Sequence, residues 1–307
     1  MKELKGFHHI TCFTSDAQKT LDFYTNVLNL HLVKKTITQH DASKYHLYFA
    51  NQQANFGSVV SFYQASTYDM ASMLGNAYEA FSFVVANKEA LLYWHQKLQK
   101  HDLTVSSIMS LFDYDVFSFV DVNNITIYLF ASNKKETTYE LLHLGPVFIN
   151  VLDAPTMHDH LTHHFKFTLA NTQDDMKLYT SKTRDLQHQL IVRKLTDNEF
   201  IIGKSRIDHV AFLVDDKDDL IELHDALFAL GYAHSELLFR TYYYSLYTRL
   251  NNYLKIEFAN RYPGFHYDEA INNLGNTLSL PEHLEPFREA IASQLKPLTN
   301  KKSSSLE

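Results

Sequence analysis

Short apolar runs, each followed by a helical pattern of apolar residues, recur along the chain. The run at residues 7–13 aligns without a gap with residues 207–213, at an offset of 200 residues. In this alignment His9 matches His209. Each run passes a polar turn and then shows apolar residues at helical spacing. The pattern therefore predicts two copies of one unit that starts with a strand and continues into a helix.

Two weaker copies of the pattern lie between these. Residues 81–85 and 146–151 are mostly apolar, and each run precedes a polar residue and an amphipathic stretch. Two or three short strand-like runs follow every predicted helix. Repetition at this scale indicates a duplicated architecture. The chain is predicted to contain four β-α-β-β-β units, at about residues 5–65, 78–132, 145–195 and 205–260.

A unit of this kind has one sheet face that another layer must cover. We therefore expect an α+β fold in which paired units curl into two half-open β-barrels. The first and fourth units match best and are expected to share the functional cleft. The predicted domains are residues 1–140 and 141–307, with two units in each. A C-terminal helical appendage is predicted from Glu282 to Gln294, with Pro281 at its start.

The composition is typical of a globular protein with an ample core. Hydrophobic residues make up 45% of the 307 positions and charged residues 21%. No apolar stretch approaches the roughly 20 residues that span a bilayer, and no signal-peptide pattern is visible. The net charge of −7 disfavours nucleic acid as a partner. The single cysteine, Cys12, excludes an intrachain disulfide, which favours a reducing compartment and a cytoplasmic location. Because Cys12 lies in an apolar run, a buried structural thiol is expected.

Three residues form a candidate metal site. Because strand residues alternate faces, His9 and His209 lie on the same face of equivalent strands, across one cleft. Glu257 is an acidic residue within an apolar strand pattern, where a buried carboxylate needs a partner. Two imidazoles and one carboxylate on one side of a metal are typical of non-haem Fe(II) oxygenases. Each residue alone is more simply a core or solvent-facing side chain; the repeat favours the metal site.

Longer motifs carry a family resemblance. Gly-Phe-His-His-Ile-Thr at residues 6–11 and Asp-His-Val-Ala-Phe at residues 208–212 resemble two histidine motifs of one group of proteins. Ile-Glu-Phe-Ala at residues 256–259, followed by Pro-Gly-Phe at 263–265, resembles the glutamate motif of the same group. Together they resemble the vicinal-oxygen-chelate (glyoxalase/extradiol dioxygenase) superfamily, specifically its ring-cleaving hydroquinone dioxygenases. The resemblance covers nearly the whole chain.

The resemblance implies a function and a set of residues. The metal would be Fe(II), with Mn or Zn as alternatives, and its ligands fall on His9, His209 and Glu257. The partners would be O₂ and a small aromatic substrate, a hydroquinone or related phenol, opened by an extradiol-type reaction in quinone or aromatic detoxification. The residues implied to support catalysis are His8, Thr11, Arg240 and Tyr247.

Three of these supporting residues have a chemical role and a plainer alternative. Tyr247 could hydrogen-bond the second substrate hydroxyl, or only pack. Arg240 could offset developing negative charge, or only pair with a surface acid. His8 could move a proton, since histidine titrates near neutrality. Strand alternation, however, directs His8 away from His9, where it would only hold the strand in place.

The sequence also departs from the resembled pattern. Asp208 stands where the group commonly has a histidine. Residues 50–57 lack the usual Gly-Asp and Pro-Gly, and the loop at residues 250–253 differs from the usual Pro-Gly-Gly form. Metal binding is compatible with these changes, whereas the identity of the substrate does not transfer.

Two other functions stay open at this point. A glyoxalase-like isomerase or thiol transferase would use Zn²⁺, Ni²⁺ or Mn²⁺ and typically a second carboxylate ligand, which residues 58–63 do not offer. A non-enzymatic protein that binds an aromatic compound would use the same cleft and commonly lacks the three metal ligands. Neither a membrane nor nucleic acid is an expected partner, and a homo-oligomer remains open.

Overall fold

The structure is a computed structural model that describes most of the chain. The described residues are 4–65, 72–74, 76–135, 138–181, 186–196, 202–204, 206–251 and 254–300. The last two residues of the predicted loop departure, 252–253, lie outside this part.

The four predicted β-α-β-β-β units are all present in the described part of the chain. The first unit consists of β1 (Phe7–Thr14), α1 (Ala17–Asp22), a π-helical turn (Phe23–Val27), β2 (His31–Ile37), β3 (Tyr45–Ala50) and β4 (Val59–Gln64). After β5 (Ser72–Leu74), the second unit consists of β6 (Ala77–Val85), α2 (Lys88–Gln99), β7 (Met109–Leu111), β8 (Tyr114–Val120) and β9 (Thr126–Ala131).

The third and fourth units follow the same order. After β10 (His143–Leu144), the third unit consists of β11 (Val147–Val151), α3 (Ala154–Asp159), a π-helical turn (His160–His164), β12 (Thr168–Gln173), β13 (Met176–Thr180), a 3₁₀ turn (Leu186–His188) and β14 (Gln189–Lys194). After β15 (Ile202–Lys204), the fourth unit consists of β16 (Ile207–Leu213), α4 (Lys217–Ala229), β17 (Leu238–Phe239), β18 (Tyr244–Leu250) and β19 (Leu254–Ala259). The C-terminal appendage contains 3₁₀ turns (Ile271–Asn273, Glu282–Phe287) and α5 (Arg288–Gln294).

The polar turn of every unit starts its helix. In each case the side chain of an Asp or Asn accepts a hydrogen bond from the backbone N–H three residues later, which satisfies a free donor of the first helical turn. These N-cap residues are Asp16, Asn87, Asp153 and Asp216. The recurring polar position in the sequence pattern is therefore a helix start.

Apart from β5 and β15, which pair with each other, the strands form two curled half-barrel sheets. One has the order β17-β18-β19-β16-β1-β4-β3-β2 and joins the fourth unit to the first, as predicted. The other has the order β12-β13-β14-β11-β6-β9-β8-β7, with β10 paired to β6, and joins the third unit to the second. Each sheet combines one unit from before residue 140 with one unit from after it. The sheets therefore do not test the predicted domains, residues 1–140 and 141–307, which stay a prediction.

Strand alternation divides β1 between a core face and a functional face. Ile10 and Cys12 belong to the main apolar cluster, which also contains Leu21 of α1. His9 and Thr11 point to the other face of the strand and are buried as well. The buried position of Cys12 confirms the predicted structural thiol.

The C-terminal appendage differs from its prediction. A continuous helix from Glu282 to Gln294 was expected, but residues 282–287 form a 3₁₀ turn and the α-helix starts at Arg288. Pro286 lies inside the 3₁₀ turn. Proline has no N–H to donate, and its ring clashes with the preceding turn of an α-helix. The periodicity alone did not reveal this interruption.

Candidate metal centre

Three buried side chains converge on one point of the first half-barrel. Nε2 of His9 lies 3.3 Å from Nε2 of His209 and 3.3 Å from Oε2 of Glu257. Nε2 of His209 lies 2.8 Å from the same carboxylate oxygen. The structure thus brings together all three residues that the sequence predicted as metal ligands, and each side chain is at most 2% exposed.

The strand pairing explains this convergence. Antiparallel pairing of β1 with β16 places His9 opposite Ala211, and parallel pairing of β16 with β19 places Ala211 opposite Glu257. His209 is two residues before Ala211 and shares its face. His9, Ala211 and Glu257 therefore lie side by side on three neighbouring strands, with the small Ala211 side chain in the middle. A larger side chain at this position would fill the space between the imidazole and the carboxylate.

The donor atoms fit a divalent metal ion. Oε2 of Glu257 is buried and makes no hydrogen bond within the described part of the chain, whereas Oε1 accepts a hydrogen bond from the Ser245 hydroxyl. A buried carboxylate needs a compensating cation or donor. Ligand atoms about 2.1 Å from a metal and at right angles lie about 3.0 Å apart, close to the three observed separations.

A hydrogen bond to His8 orients the imidazole ring of His9. Nε2 of His8 lies 2.9 Å from the carbonyl oxygen of Asn260, which can only accept, so this nitrogen carries the hydrogen. Nδ1 of His8 is then the acceptor for Nδ1 of His9, at 2.7 Å. The remaining nitrogen of His9, Nε2, is left unprotonated and faces the other two donor atoms. Burial lowers the pKa of His8 well below its usual value, which keeps this ring neutral.

A β-bulge places the two histidines side by side. The register between β1 and β16 shifts between Phe7 and His9, so His8 is an extra residue on β1. Its ring stacks on Phe56 at a centroid distance of 4.1 Å and contacts Tyr243 edge-on at 4.7 Å. The prediction that His8 faces away from His9 is wrong, because simple alternation fails at a bulge.

Asp208 gives His209 the same kind of support. Its Oδ2 lies 2.6 Å from Nδ1 of His209 and 2.8 Å from Nζ of Lys255. A carboxylate accepts the Nδ1 hydrogen and directs Nε2 toward the centre, where a metal would replace a proton. Burial lowers the pKa of His209, but Asp208 and Glu257 outweigh burial and raise it. Burial opposes ionisation of Asp208, but His209 and Lys255 outweigh it and lower the pKa of this carboxyl. The residue that departs from the resembled pattern thus orients a predicted ligand.

The charge of Glu257 depends on a positive charge beside it. Burial raises its pKa, but His9 and His209 in their protonated forms outweigh burial and hold the pKa well below its usual value. A cation bound in place of these protons would stabilise the same carboxylate.

Arg240 and Tyr247 lie together beside this centre. Nε of Arg240 donates to the Tyr247 hydroxyl at 3.2 Å, and the guanidinium lies 4.9 Å from the centre of the Tyr247 ring. Tyr247 pairs with Glu257 across β18 and β19, and its ring contacts His209 edge-on at 5.8 Å. Burial raises the pKa of Tyr247 well above its usual value, so the phenol keeps its proton.

Thr11 belongs to a polar line that the sequence did not reveal. Its hydroxyl lies 2.9 Å from that of Ser61, which lies 3.1 Å from Nε2 of His46. Burial lowers the pKa of His46 well below its usual value, so the ring is neutral. His46 and Ser61 are polar residues inside apolar strand runs. The criterion that selected Glu257 would have found them too.

Comparison with known proteins identifies the family of the chain. Residues 6–119 match the family model described as the glyoxalase/bleomycin resistance protein/dioxygenase superfamily. A Bacillus subtilis (strain 168) protein named "Putative ring-cleaving dioxygenase MhqA" is 30% identical over 96% of this chain and 99% of its own length. The chain belongs to this superfamily. The family resemblance read from the histidine and glutamate motifs is thereby confirmed.

Other members of the superfamily agree in sequence and fold. The chlorohydroquinone/hydroquinone 1,2-dioxygenase of Sphingobium indicum is 23% identical over 94% of this chain and 95% of its own. A solved structure from Bacillus subtilis subsp. subtilis str. 168 has a TM-score of 0.87 at 24% identity, covering 98% of this chain and 99% of that one. A maize (Zea mays) glyoxalase I variant has a TM-score of 0.61 at 13% identity, covering 83% and 92%. The predicted α+β fold with two half-open barrels is therefore confirmed.

No helix in the described part of the chain has both the length and the apolar character needed to cross a membrane.

Proposed function

We propose that the chain is a non-haem Fe(II)-dependent, extradiol-type dioxygenase that cleaves the ring of hydroquinones or related phenols with O₂. Its role would lie in the detoxification of quinone-derived and other aromatic compounds. The observation that carries the proposal is the convergence of His9 Nε2, His209 Nε2 and Glu257 Oε2 on one buried point. Membership of the superfamily, with relatives named ring-cleaving and hydroquinone dioxygenases, supports the choice of reaction.

The predicted ligands would hold the metal with neutral imidazoles and one carboxylate. A divalent iron bound there would supply open positions for a phenolate and O₂ and electron transfer between the two. Mn or Zn would fit the same donors, since availability contributes to metal choice. The carbonyl of Asn260, through His8, and the carboxylate of Asp208 fix the histidine tautomers that such binding requires.

Tyr247 and Arg240 are proposed to act on the substrate. Because the Tyr247 hydroxyl accepts from Nε of Arg240, its own hydrogen remains to be donated on the side of the metal ligands. A phenol that stays protonated can donate to a substrate hydroxyl or to an oxygen that gains negative charge. The Arg240 guanidinium, always charged, would stabilise that charge from behind the phenol.

Thr11 is proposed to act through Ser61 and His46. The three side chains form one hydrogen-bonded line on β1, β4 and β3. A neutral His46 can accept or donate, so the line can pass a proton or orient a hydroxyl without introducing charge. Supporting groups on both sides of the predicted ligands suit a substrate with two hydroxyl groups.

A glyoxalase-like reaction receives less support from the donor set. In the described part of the chain, the group of close His, Cys, Asp and Glu donors contains only His9, His209 and Glu257. The position opposite Thr11 on β4 is Ser61, which adds no second carboxylate. Three protein ligands leave more positions for substrate and O₂ than four.

O₂ uptake tests the proposal. The purified protein would be stripped of metal and reloaded anaerobically with Fe(II), Mn(II) or Zn(II). It would then be mixed with hydroquinone, methyl- and chloro-hydroquinone and catechol in an oxygen electrode. The Fe(II) form is expected to consume O₂ with at least one hydroquinone, and Glu257→Gln and His209→Ala to abolish this uptake. A fully loaded Fe(II) protein without O₂ uptake on any substrate in the panel contradicts the proposal.

Ligand binding without turnover distinguishes an aromatic-compound-binding protein. In that case hydroquinone affinity would persist unchanged in His9→Ala and His209→Ala, and the parent protein would consume no O₂.

A further inference from the structure

A cavity of about 750 Å³ opens beside Arg240. Its walls come from residues 37–39 at the end of β2, residues 238–241 before β18, Tyr267, and residues 281–284 of the C-terminal appendage. Parts of the chain more than 200 residues apart thus enclose one space. The volume lies in the range typical of small-molecule sites.

Arg240 connects this cavity to the candidate metal centre. It lines the cavity and donates to the Tyr247 hydroxyl at 3.2 Å, while the Tyr247 ring contacts that of His209. The cavity is therefore two side chains away from a predicted metal ligand. A cavity of about 560 Å³ next to Phe56, on the side of His8, contains none of the predicted site residues. Since the donor atoms of the candidate metal centre are buried, a substrate needs a route to them, and the cavity beside Arg240 is lined by a predicted site residue.

The lining of the cavity suits a neutral aromatic compound. It is mostly apolar, with exposed fractions of 50% for Phe239 and 58% for Tyr267, high for such large rings. The charged groups that line it are Arg240 and Glu282, of opposite sign. Polar side chains also line it, namely Thr38, Gln39, Thr241 and His283. Aromatic walls combined with placed polar groups are typical of sites that bind planar organic molecules.

The C-terminal wall is firmly attached to the half-barrel. Ser279 donates its backbone N–H to the carbonyl of Lys35 at 2.9 Å, and Lys34 makes ion pairs with Asp268 and Glu269. The Lys34 side chain is fully buried. The segment that closes the cavity is thus a fixed part of it.

We propose that this cavity is the vestibule through which a neutral hydroquinone reaches the metal centre, and that Phe239 and Tyr267 determine which ring substituents are accepted. The proposal rests on the proposed function for the nature of the ligand. The hydroxylated part of the ring would pass Arg240, and alkyl or halogen substituents would remain among the apolar side chains of the vestibule.

The single cysteine of the chain makes this route directly testable. Cys12 is buried, and burial raises the pKa of its thiol well above its usual value, so it reacts poorly with thiol reagents. Phe239→Cys and Tyr267→Cys each introduce one accessible thiol into the wall of the vestibule. Phe228→Cys provides a matched control, since Phe228 lies on α4, is 75% exposed and does not line the vestibule.

Each variant would be labelled with benzyl methanethiosulfonate, and the label would afterwards be removed with a thiol reductant. Binding of hydroquinone, methylhydroquinone and tert-butylhydroquinone to the metal-loaded protein would be measured anaerobically by calorimetry, with O₂ uptake in parallel. The label in Phe239→Cys or Tyr267→Cys is expected to weaken tert-butylhydroquinone binding at least about tenfold and unsubstituted hydroquinone binding less. Removal of the label restores binding, which excludes unfolding as the cause.

The outcomes separate the two proposals. Three results would overturn the vestibule proposal. They are equal affinity for every hydroquinone before and after labelling, an equal loss of affinity in labelled Phe228→Cys, and no hydroquinone binding by the unlabelled protein. Label-dependent binding without any O₂ uptake contradicts the proposed reaction and leaves the vestibule supported.

Discussion

Asp208 accepts a hydrogen bond from Nδ1 of His209 across 2.6 Å, at the position where the resembled pattern commonly has a histidine. Lys255 completes this arrangement from the neighbouring strand. The aspartate at this position therefore orients His209, and its charge makes it a strong hydrogen-bond acceptor. A more basic imidazole is the expected consequence for the metal.

Asp208→Ala is expected to weaken metal binding about 10- to 100-fold, because Nδ1 of His209 loses the acceptor that fixes its tautomer. The metal affinity of Asp208→Asn should lie between those of the parent protein and Asp208→Ala, since the amide oxygen of asparagine still accepts a hydrogen bond. The dissociation constant would be measured by competition with a chelator. Arg261→Ala, on an exposed residue outside this arrangement, serves as the control. Unchanged affinity in Asp208→Ala would show that His209 is oriented by other contacts.

Ala211→Leu is expected to abolish metal binding, because its side chain would fill the space between His9 and Glu257. Overpacking at this fully buried position should also lower the free energy of unfolding by about 1–3 kcal/mol. Ala211→Gly is the matched control, with metal content retained and a loss of about 1 kcal/mol. Metal analysis and urea unfolding give the two readouts. Full metal occupancy in Ala211→Leu would argue against a metal held by these three residues.

Tyr247→Phe is expected to lower kcat about 100-fold while leaving metal affinity and the anaerobic affinity for hydroquinone within about threefold, since only a proton donor is removed. The comparison variant is Tyr262→Phe, on a side chain that is 63% exposed. Steady-state O₂ uptake and anaerobic calorimetry separate the two effects. If affinity falls and kcat does not, Tyr247 serves in binding rather than in the reaction.

Lys34→Met is expected to destabilise the protein by about 2–4 kcal/mol, because Asp268 and Glu269 lose the buried cation between them. The C-terminal wall of the vestibule should then become susceptible to proteases near residues 268–280. Lys35→Met, at the next and less buried position of the same strand, is expected to have a small effect. Urea unfolding and limited proteolysis measure both changes. Equal stability of the two variants would show that this ion pair contributes little.

The folded protein is expected to lose stability above about pH 10, the usual range of tyrosine ionisation. Burial raises the pKa of Tyr24, Tyr63 and Tyr243 well above the usual value, and that of Tyr232 to about 12. The unfolded chain then releases protons that the folded chain retains, so the free energy of unfolding falls as pH rises through this range. Phenolate absorbance should rise in a cooperative step that coincides with loss of circular dichroism. A gradual rise without unfolding would mean that these phenols ionise in the folded state.

The proximity of His9 and His209 could be predicted because a duplicated unit repeats both its strand and its facing direction. Glu257 could be predicted mainly because its motif resembles the glutamate motif of the family, and also because a carboxylate within an apolar strand requires a partner. The position of His8 could not, since a bulge leaves no mark in an alternating pattern. The pairing of Asp208 with Lys255 depends on how β16 and β19 align, and short apolar strands do not encode their register uniquely.

The candidate metal centre joins residues 200 positions apart, His9 and His209, across the seam between the first and fourth units. During synthesis, a chain that has emerged only through its third unit contains His9 but neither of the other two predicted ligands. In such a chain one edge of β1 stays unpaired until β16 has been synthesised. Until then, this edge can pair with strands of other chains and promote aggregation. A metal ion could therefore bind only after the fourth unit has been synthesised and has folded, and it would then link the first unit to the fourth.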